Sequence, residues 1–183
     1  MDVAVVGDGP GGLSAAIFLA KNGQEVAVYG DDNTAMHWAL LKNYPGIAEI
    51  RGSDYQKIAR QQAESFGAKL IAERVDAIDR NDDGFVVTLD SGESTTVRFV
   101  ILSEGKSPRL AKALGLEFAG DGGVVTDKNS QTSISGVYAV GRLSRPGRSQ
   151  AVISAGDGAA AAIDILSTLK GEDLTDWDSP PES

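Results

Sequence analysis

Val3-Ala4-Val5-Val6-Gly7-Asp8-Gly9-Pro10-Gly11-Gly12-Leu13-Ser14-Ala15-Ala16-Ile17-Phe18-Leu19-Ala20 is the stretch that decides how the chain is read. Val3–Val6 is short, β-branched and continuous, the mark of a strand buried on both faces of a parallel sheet. The glycines that follow open into an alanine-rich segment that reads as a helix from Gly11 to Asn22, stopped by Gly23. Strand, glycine turn and helix in that order build an anion site. The glycines let backbone approach a pyrophosphate, and the helix N-terminus offers free N–H groups at the positive end of its dipole. The context, more than the glycine spacing, gives the pattern its weight. Gly7, Gly9 and Gly12 are expected to turn over the phosphates. Pro10 and Gly11 stand at the helix entrance, where a missing N–H costs little.

Outward from this unit, Glu25–Tyr29 reads as a second strand, which completes a βαβ motif of roughly thirty residues. An acid near the end of that strand is expected to bind the ribose. Gly30 occupies the strand end, so Asp31 and Asp32 are the candidates, with a solvated turn as the alternative. Gly30 to Gly52 is a long irregular stretch holding His37, Trp38 and Asn43-Tyr44-Pro45-Gly46, and loops of such length are commonly functional or disordered. Ser53 reads as the cap of a helix running to about Ser65, and Ala68–Ala72 as a strand returning to the parallel sheet.

The pattern then changes. Arg74–Arg80, Phe85–Asp90 and Ser94–Arg98 alternate as short antiparallel strands around the turns Asn81-Asp82-Asp83-Gly84 and Ser91-Gly92. Phe99–Leu102 is again a buried strand, Ser107–Leu114 a short helix or turn, Gly123–Asp127 and Val137–Val140 two more strands, and Ala151–Leu169 a long helix. The expected architecture is α/β: one Rossmann-like domain over residues 1–170, a parallel sheet with an inserted antiparallel meander, followed by a loose acidic tail over 171–183.

Composition narrows the chemistry. The 183 residues contain no cysteine and one histidine, His37. That excludes disulfides, thiolate metal sites, a histidine-rich metal site and any dithiol of the sequence's own. A net charge of −9 argues against nucleic acid and anionic lipid as partners. No apolar run reads as long enough to span a bilayer, and Met1-Asp2-Val3 lacks the basic start of a secretory leader, so a cytoplasmic protein is expected.

Four stretches together carry a family resemblance: the glycine turn, Asn43-Tyr44-Pro45-Gly46, Val100-Ile101-Leu102-Ser103-Glu104-Gly105, and Thr132–Gly141 with Gln150-Ala151. In their order and spacing the chain resembles the FAD domain of the low-molecular-weight thioredoxin reductases, within the two-dinucleotide-binding-domain flavoproteins. The resemblance implies FAD as cofactor and runs from Val3 to about Leu169. It implies that the backbone of Val75 holds the adenine, that Gly105 and Gly141 end strands beside the cofactor, and that Gln150 and Ala151 aim a helix end at the flavin pyrimidine. Asn43 is carried over with its loop, which passes near the flavin's reactive edge, where Trp38 stacking or His37 proton transfer are the catalytic candidates, with ordinary loop or core residues as the alternative.

The departures are as telling. The family inserts a nicotinamide-binding domain where this chain has only a short connection after Gly105, and its redox-active cysteine pair is absent. Glu104 replaces a small polar residue, and Gly141-Arg142 stands where the family has Gly-Asp. Arg142 lies in a local cluster with Arg145 and Arg148 and is expected near the pyrophosphate, ribityl chain or pyrimidine, with a solvated arginine as the alternative. The functional expectation is an FAD oxidoreductase that exchanges electrons with an external redox partner or small-molecule substrate, in the form of a homodimer as in its relatives. The alternatives are a non-catalytic flavin- or nucleotide-binding protein, and NAD(P) in place of FAD.

Overall fold

In the computed structural model, residues 1–180 are described. Strand β1 (Val3–Val6) leads through the glycine turn into helix α1 (Pro10–Lys21), and β2 (Val26–Tyr29) follows. The two-residue strands β3 (Leu40–Leu41) and β4 (Ile50–Arg51) then form a small hairpin that runs directly into α2 (Gly52–Ser65). Next come β5 (Lys69–Ile71), a meander of β6 (Val75–Asn81), β7 (Gly84–Leu89) and β8 (Ser94–Val97), and then β9 (Phe99–Leu102). The short helix α3 (Arg109–Ala113), β10 (Val137–Ala139) and α4 (Ala151–Lys170) complete the order.

The main sheet is wholly parallel, ordered β10-β9-β1-β2-β5. Its strand order reverses between β1 and β9, and in doubly wound sheets ligands bind at the carboxyl ends of the strands flanking such a switch point. Alternate residues of each strand face opposite layers. Val3, Val5, Val26, Val28, Ile101 and Tyr138 join α1, α2 and α4 in one buried cluster. Ala4, Ala27, Tyr29, Val100, Leu102, Val137 and Ala139 face the meander and α3 in another. Strands β1, β2, β9 and β10 read as continuous apolar runs because both of their faces are covered, whereas the edge strand β5 carries the exposed Lys69.

Helix α4 is long and apolar enough to cross a membrane, with a mean hydropathy of 1.3. It is a core helix in this fold, packed on α1. A Cβ on Gly158 would lie 2.0 Å from Gly11 O, so only glycine permits that approach. The reading that no run has spanning length is corrected here, and the contact with α1 explains Gly158, while an added Cβ on the exposed Gly156 would meet nothing within 4 Å.

Three other expectations are corrected. Ser53 is not a cap: α2 begins at Gly52, its N-cap position is Arg51, and no side chain caps it. The Gly52 N–H is satisfied by Ala39 O at 2.8 Å, and a Cβ there would sit 2.0 Å from Met36 O. Gly123–Asp127 is not a strand. Val124 N–H donates to Leu143 O and Gly123 presses on Ser144 O, so the segment crosses the loop after β10, with one bridge to Phe118. The Gly30–Gly52 stretch is built rather than irregular. Met36 and Leu41 bury against Ala151, and Tyr44 packs on Tyr55 with ring centroids 5.6 Å apart. The tail has no regular structure over 171–180 but is held: Leu174 packs on the core, and Lys21 pairs with Asp176 and Asp178. Residues 181–183 of that tail lie outside the described residues.

Candidate dinucleotide site

The three glycines of the fingerprint have three separable reasons. Gly7 has φ +101, and a Cβ on it would meet Ser103 O at 2.3 Å, so the turn and the neighbouring β9 both demand glycine. Gly12 would place a Cβ 2.0 Å from Gly7 O and 3.0 Å from Val5 Cγ1, so helix-to-strand packing demands it. Gly9 is different. Its φ of −73 suits any residue, and a Cβ would find only Thr34 Oγ1 at 3.7 Å. Neither backbone nor packing accounts for a glycine there. The head of α1 is open there and no side chain caps that helix; uncapped helix N-termini behind glycine turns are sites that can take a phosphate where backbone comes close.

The second half of the site is also assembled. Gln150 is the N-cap position of α4, which no side chain caps, and its Oε1 accepts from Asn43 Nδ2 at 2.9 Å. Two residues 107 apart in sequence are thus brought together. Ala151 is buried just behind them. Gly141, with φ +65, turns the chain out of β10 against Ser154. Gly105, φ +67, turns it after β9.

Arg142 and Arg145 part company. Arg145 Nε reaches both carboxylate oxygens of the buried Asp157 at 3.0 and 3.1 Å, and Asp157 Oδ2 also accepts the Gly141 N–H at 3.2 Å. Arg142 is half-buried and has no hydrogen-bond or ion-pair partner among the described residues. Arg148 is exposed.

Other candidates are engaged elsewhere. Asp31 is exposed and accepts the Asn33 N–H in a tight turn. Asp32 has φ +60, and its N–H donates to Asp8 Oδ2. The His37 ring turns to Asp32, with Nε2 2.7 Å from its carbonyl oxygen. Trp38 is 91% exposed and stacks on no aromatic ring among the described residues. The Val75 carbonyl already accepts from the Arg109 guanidinium.

Sequence reasoning passed over a network beneath the turn. Asp8 is 5% exposed, and its carboxylate pairs with Arg60 of α2. Gln56, fully buried one helical turn earlier, donates to Asp8 O at 2.6 Å. Burial pushes the Asp8 carboxyl above the usual Asp value, while Arg60 and the Asp32 N–H pull against that. The available signal was an acid inside the glycine turn and two polar residues spaced i, i+4 on the helix that follows the hairpin.

Glu104 finds its reason too. Its oxygens accept the Leu110 and Ala111 N–H groups at 2.8 and 2.9 Å, so it caps α3 from outside. Arg109 ties the same helix to Val75 O and Asp76 O. The short connection after β9 is thereby closed onto the meander.

The fold and the glycine turn define a dinucleotide-binding domain of the doubly wound type. The sequence signature of the pyridine nucleotide-disulphide oxidoreductases matches residues 1–52 and 40–158, and the chain belongs to that family. It is similar to the thioredoxin reductase of Aquifex aeolicus (strain VF5), 34% identical over 126 residues, which covers 66% of this chain and 39% of that one. The enzyme of Streptomyces clavuligerus is 33% identical over 113 residues, 59% of this chain and 35% of its own. The chain thus spans about two fifths of the length of the curated relatives it matches. Among solved structures, a thioredoxin reductase from Gloeobacter violaceus superposes with a TM-score of 0.85 at 20% identity, over 97% of this chain and 98% of that one. An atypical thioredoxin reductase from Desulfovibrio vulgaris Hildenborough gives 0.83 at 20% identity, over 93% and 98%. At that identity the superpositions speak for the fold.

Proposed function

We propose that this chain binds FAD across the Gly7–Gly12 turn and the N-terminus of α4, and exchanges electrons with a separate redox partner or a small substrate. The observation that carries this reading is the unfilled space at Gly9, a glycine that the fold itself does not require. FAD, once bound, supplies the capacity to accept and return electrons. The chain's own residues hold it: N–H groups at two uncapped helix ends face the phosphates and the pyrimidine, and Asn43 locks Gln150 in place. Arg142, free of any protein partner among the described residues, adds a fixed positive charge beside the pyrimidine or ribityl chain. With no cysteine in these 183 residues, this stretch supplies no thiol chemistry of its own. The closure by Glu104 and Arg109 stands where the resemblance places an inserted nicotinamide domain, and it supports a flavin face left open to an outside molecule.

The test is colour. Purified protein should carry the absorption of oxidised flavin or acquire it with FAD, and a suitable donor should bleach it. Protein that is colourless and cannot be reconstituted overturns the proposal. The orientation of His37 and Trp38 favours a second reading, a flavin- or nucleotide-binding protein without catalysis, because the His37 ring is turned to Asp32 and Trp38 is 91% exposed. Flavin that binds but is bleached by no donor would establish it. A homodimer in the cytoplasm is part of the proposal. The support for the dimer is the apolar cleft of about 330 Å³ lined by Phe18, Tyr44, Ile47 and the exposed Ile58. Light scattering that gives the monomer mass would refute the dimer.

A further inference from the structure

We infer that Asp8, rather than Asp31 or Asp32, is the residue that binds the adenosine ribose of the cofactor. The inference rests on the dinucleotide reading above and adds the residue that recognises the sugar. In a βαβ nucleotide fold the ribose hydroxyls are met by an acid at the end of the second strand. Here that position is Gly30, which follows Tyr29 and has no side chain. The space is already taken: a Cβ on Gly30 would lie 2.5 Å from Asp8 Cγ and 2.7 Å from Asp8 Oδ1. The carboxylate is therefore present where the fold requires it, but it is supplied from the glycine turn instead of from β2. Glycine at 30 and aspartate at 8 are two halves of one exchange.

The surroundings keep that carboxylate in place. A buried carboxylate needs a partner, and Arg60 provides the countercharge on Oδ2. The Asp32 N–H donates to the same oxygen at 3.0 Å, and Gln56 holds the backbone of Asp8 through its carbonyl. These bonds fall on Oδ2 and on the main chain, and Oδ1 is the oxygen on the Gly30 side. Asp31 spends its carboxylate on its own turn, and Asp32 faces His37. A carboxylate accepts hydrogen bonds from hydroxyls and repels phosphate, so the site suits an adenosine diphosphate group with a free 2′-hydroxyl and disfavours a 2′-phosphate.

The probes are ADP, 2′-deoxy-ADP and adenosine 2′,5′-bisphosphate, each competed against FAD on the full chain. Wild type should bind ADP about tenfold tighter than 2′-deoxy-ADP, the value of one charge-assisted hydrogen bond. It should bind the bisphosphate weakest. Asp8→Asn should compress the ADP to 2′-deoxy-ADP ratio to about twofold or less. The ratio measured on wild type needs no variant, and a melting curve of Asp8→Asn without nucleotide shows that it is folded. Equal affinity of wild type for ADP and 2′-deoxy-ADP overturns the inference. So does a ratio that survives Asp8→Asn but collapses in Asp31→Asn or Asp32→Asn. Failure of wild type to bind FAD and ADP at all refutes the dinucleotide reading itself, which is a distinct result.

Discussion

Replacing Gly9 and Gly12 by alanine, one at a time, separates ligand from scaffold within a single turn. At Gly12 the new Cβ lies 2.0 Å from Gly7 O and 3.0 Å from Val5 Cγ1. Both partners are fixed, one as backbone and one in the first strand, so α1 must move away from β1 by more than an ångström. Overpacking of that kind costs about 1–3 kcal/mol or more. At about 2–4 °C per kcal/mol for a domain of this size, the apo melting temperature should fall by several degrees. At Gly9 the new Cβ meets only Thr34 Oγ1 at 3.7 Å, and φ stays in an ordinary region. The remaining cost is a poorer N-cap, about 1 kcal/mol or less. Thermal melting of apo protein by circular dichroism and an FAD titration by flavin absorbance give the two readouts. Gly9→Ala should melt close to wild type and bind FAD at least tenfold more weakly, roughly 1.4 kcal/mol, because the methyl group fills the pyrophosphate space. A Gly9→Ala protein with wild-type FAD affinity refutes the argument, and so does one that melts as low as Gly12→Ala.

Arg60→Ala leaves the Asp8 carboxylate buried without its countercharge, and a loss of about 3 kcal/mol is expected in chemical denaturation; a change under about 0.5 kcal/mol would show that the pair holds nothing together. Arg142→Ala should weaken FAD binding and lower the flavin midpoint potential, as removal of a cation beside an electron acceptor requires, and no change in either quantity removes Arg142 from the site. Glu104 has its carboxyl raised by burial against the pull of the Leu110 and Ala111 N–H groups. A raised folded value means that its contribution is fully present below the unfolded value of 4.5 and is lost as pH rises through the folded value. Wild type should therefore gain stability relative to Glu104→Gln as pH falls into that window, and parallel stability curves would count against it.

The parallel strands and the meander were legible because their periods are local. Val3–Val6 and Phe99–Leu102 are continuous apolar runs, and Phe85–Asp90 alternates around glycine turns. Gly123–Asp127 looks like a strand by composition, but tertiary contacts with Leu143 and Ser144 claim its backbone. Ser53 has cap chemistry, yet the hairpin delivers the chain in helical register one residue earlier, where the Gly52 N–H is already satisfied. The Asn43–Gln150 pair was legible only as two motifs, since nothing in either stretch says that they touch. Asp8 and Arg60 are 52 residues apart, and a charge in a glycine turn reads as solvated until its partner is seen. Glu104 stood out as an oddity, and only the fold shows that it caps a helix beginning five residues later.

The close approach of α1 and α4 has an electrical consequence. Gly11 lies against Ser154 and Gly158, and Ala15 N is also near Gly158, so the two helices start side by side and run in the same direction. Their positive ends add at one edge of the sheet, each equivalent to about half an elementary charge. The sequence as a whole carries −9. An arriving dianion therefore meets repulsion at a distance and attraction within the last few ångströms. Dissolved ions damp the distant field far more than the near one. Capture of the nucleotide should accordingly speed up as salt is added, the reverse of what a positively charged phosphate-binding protein does.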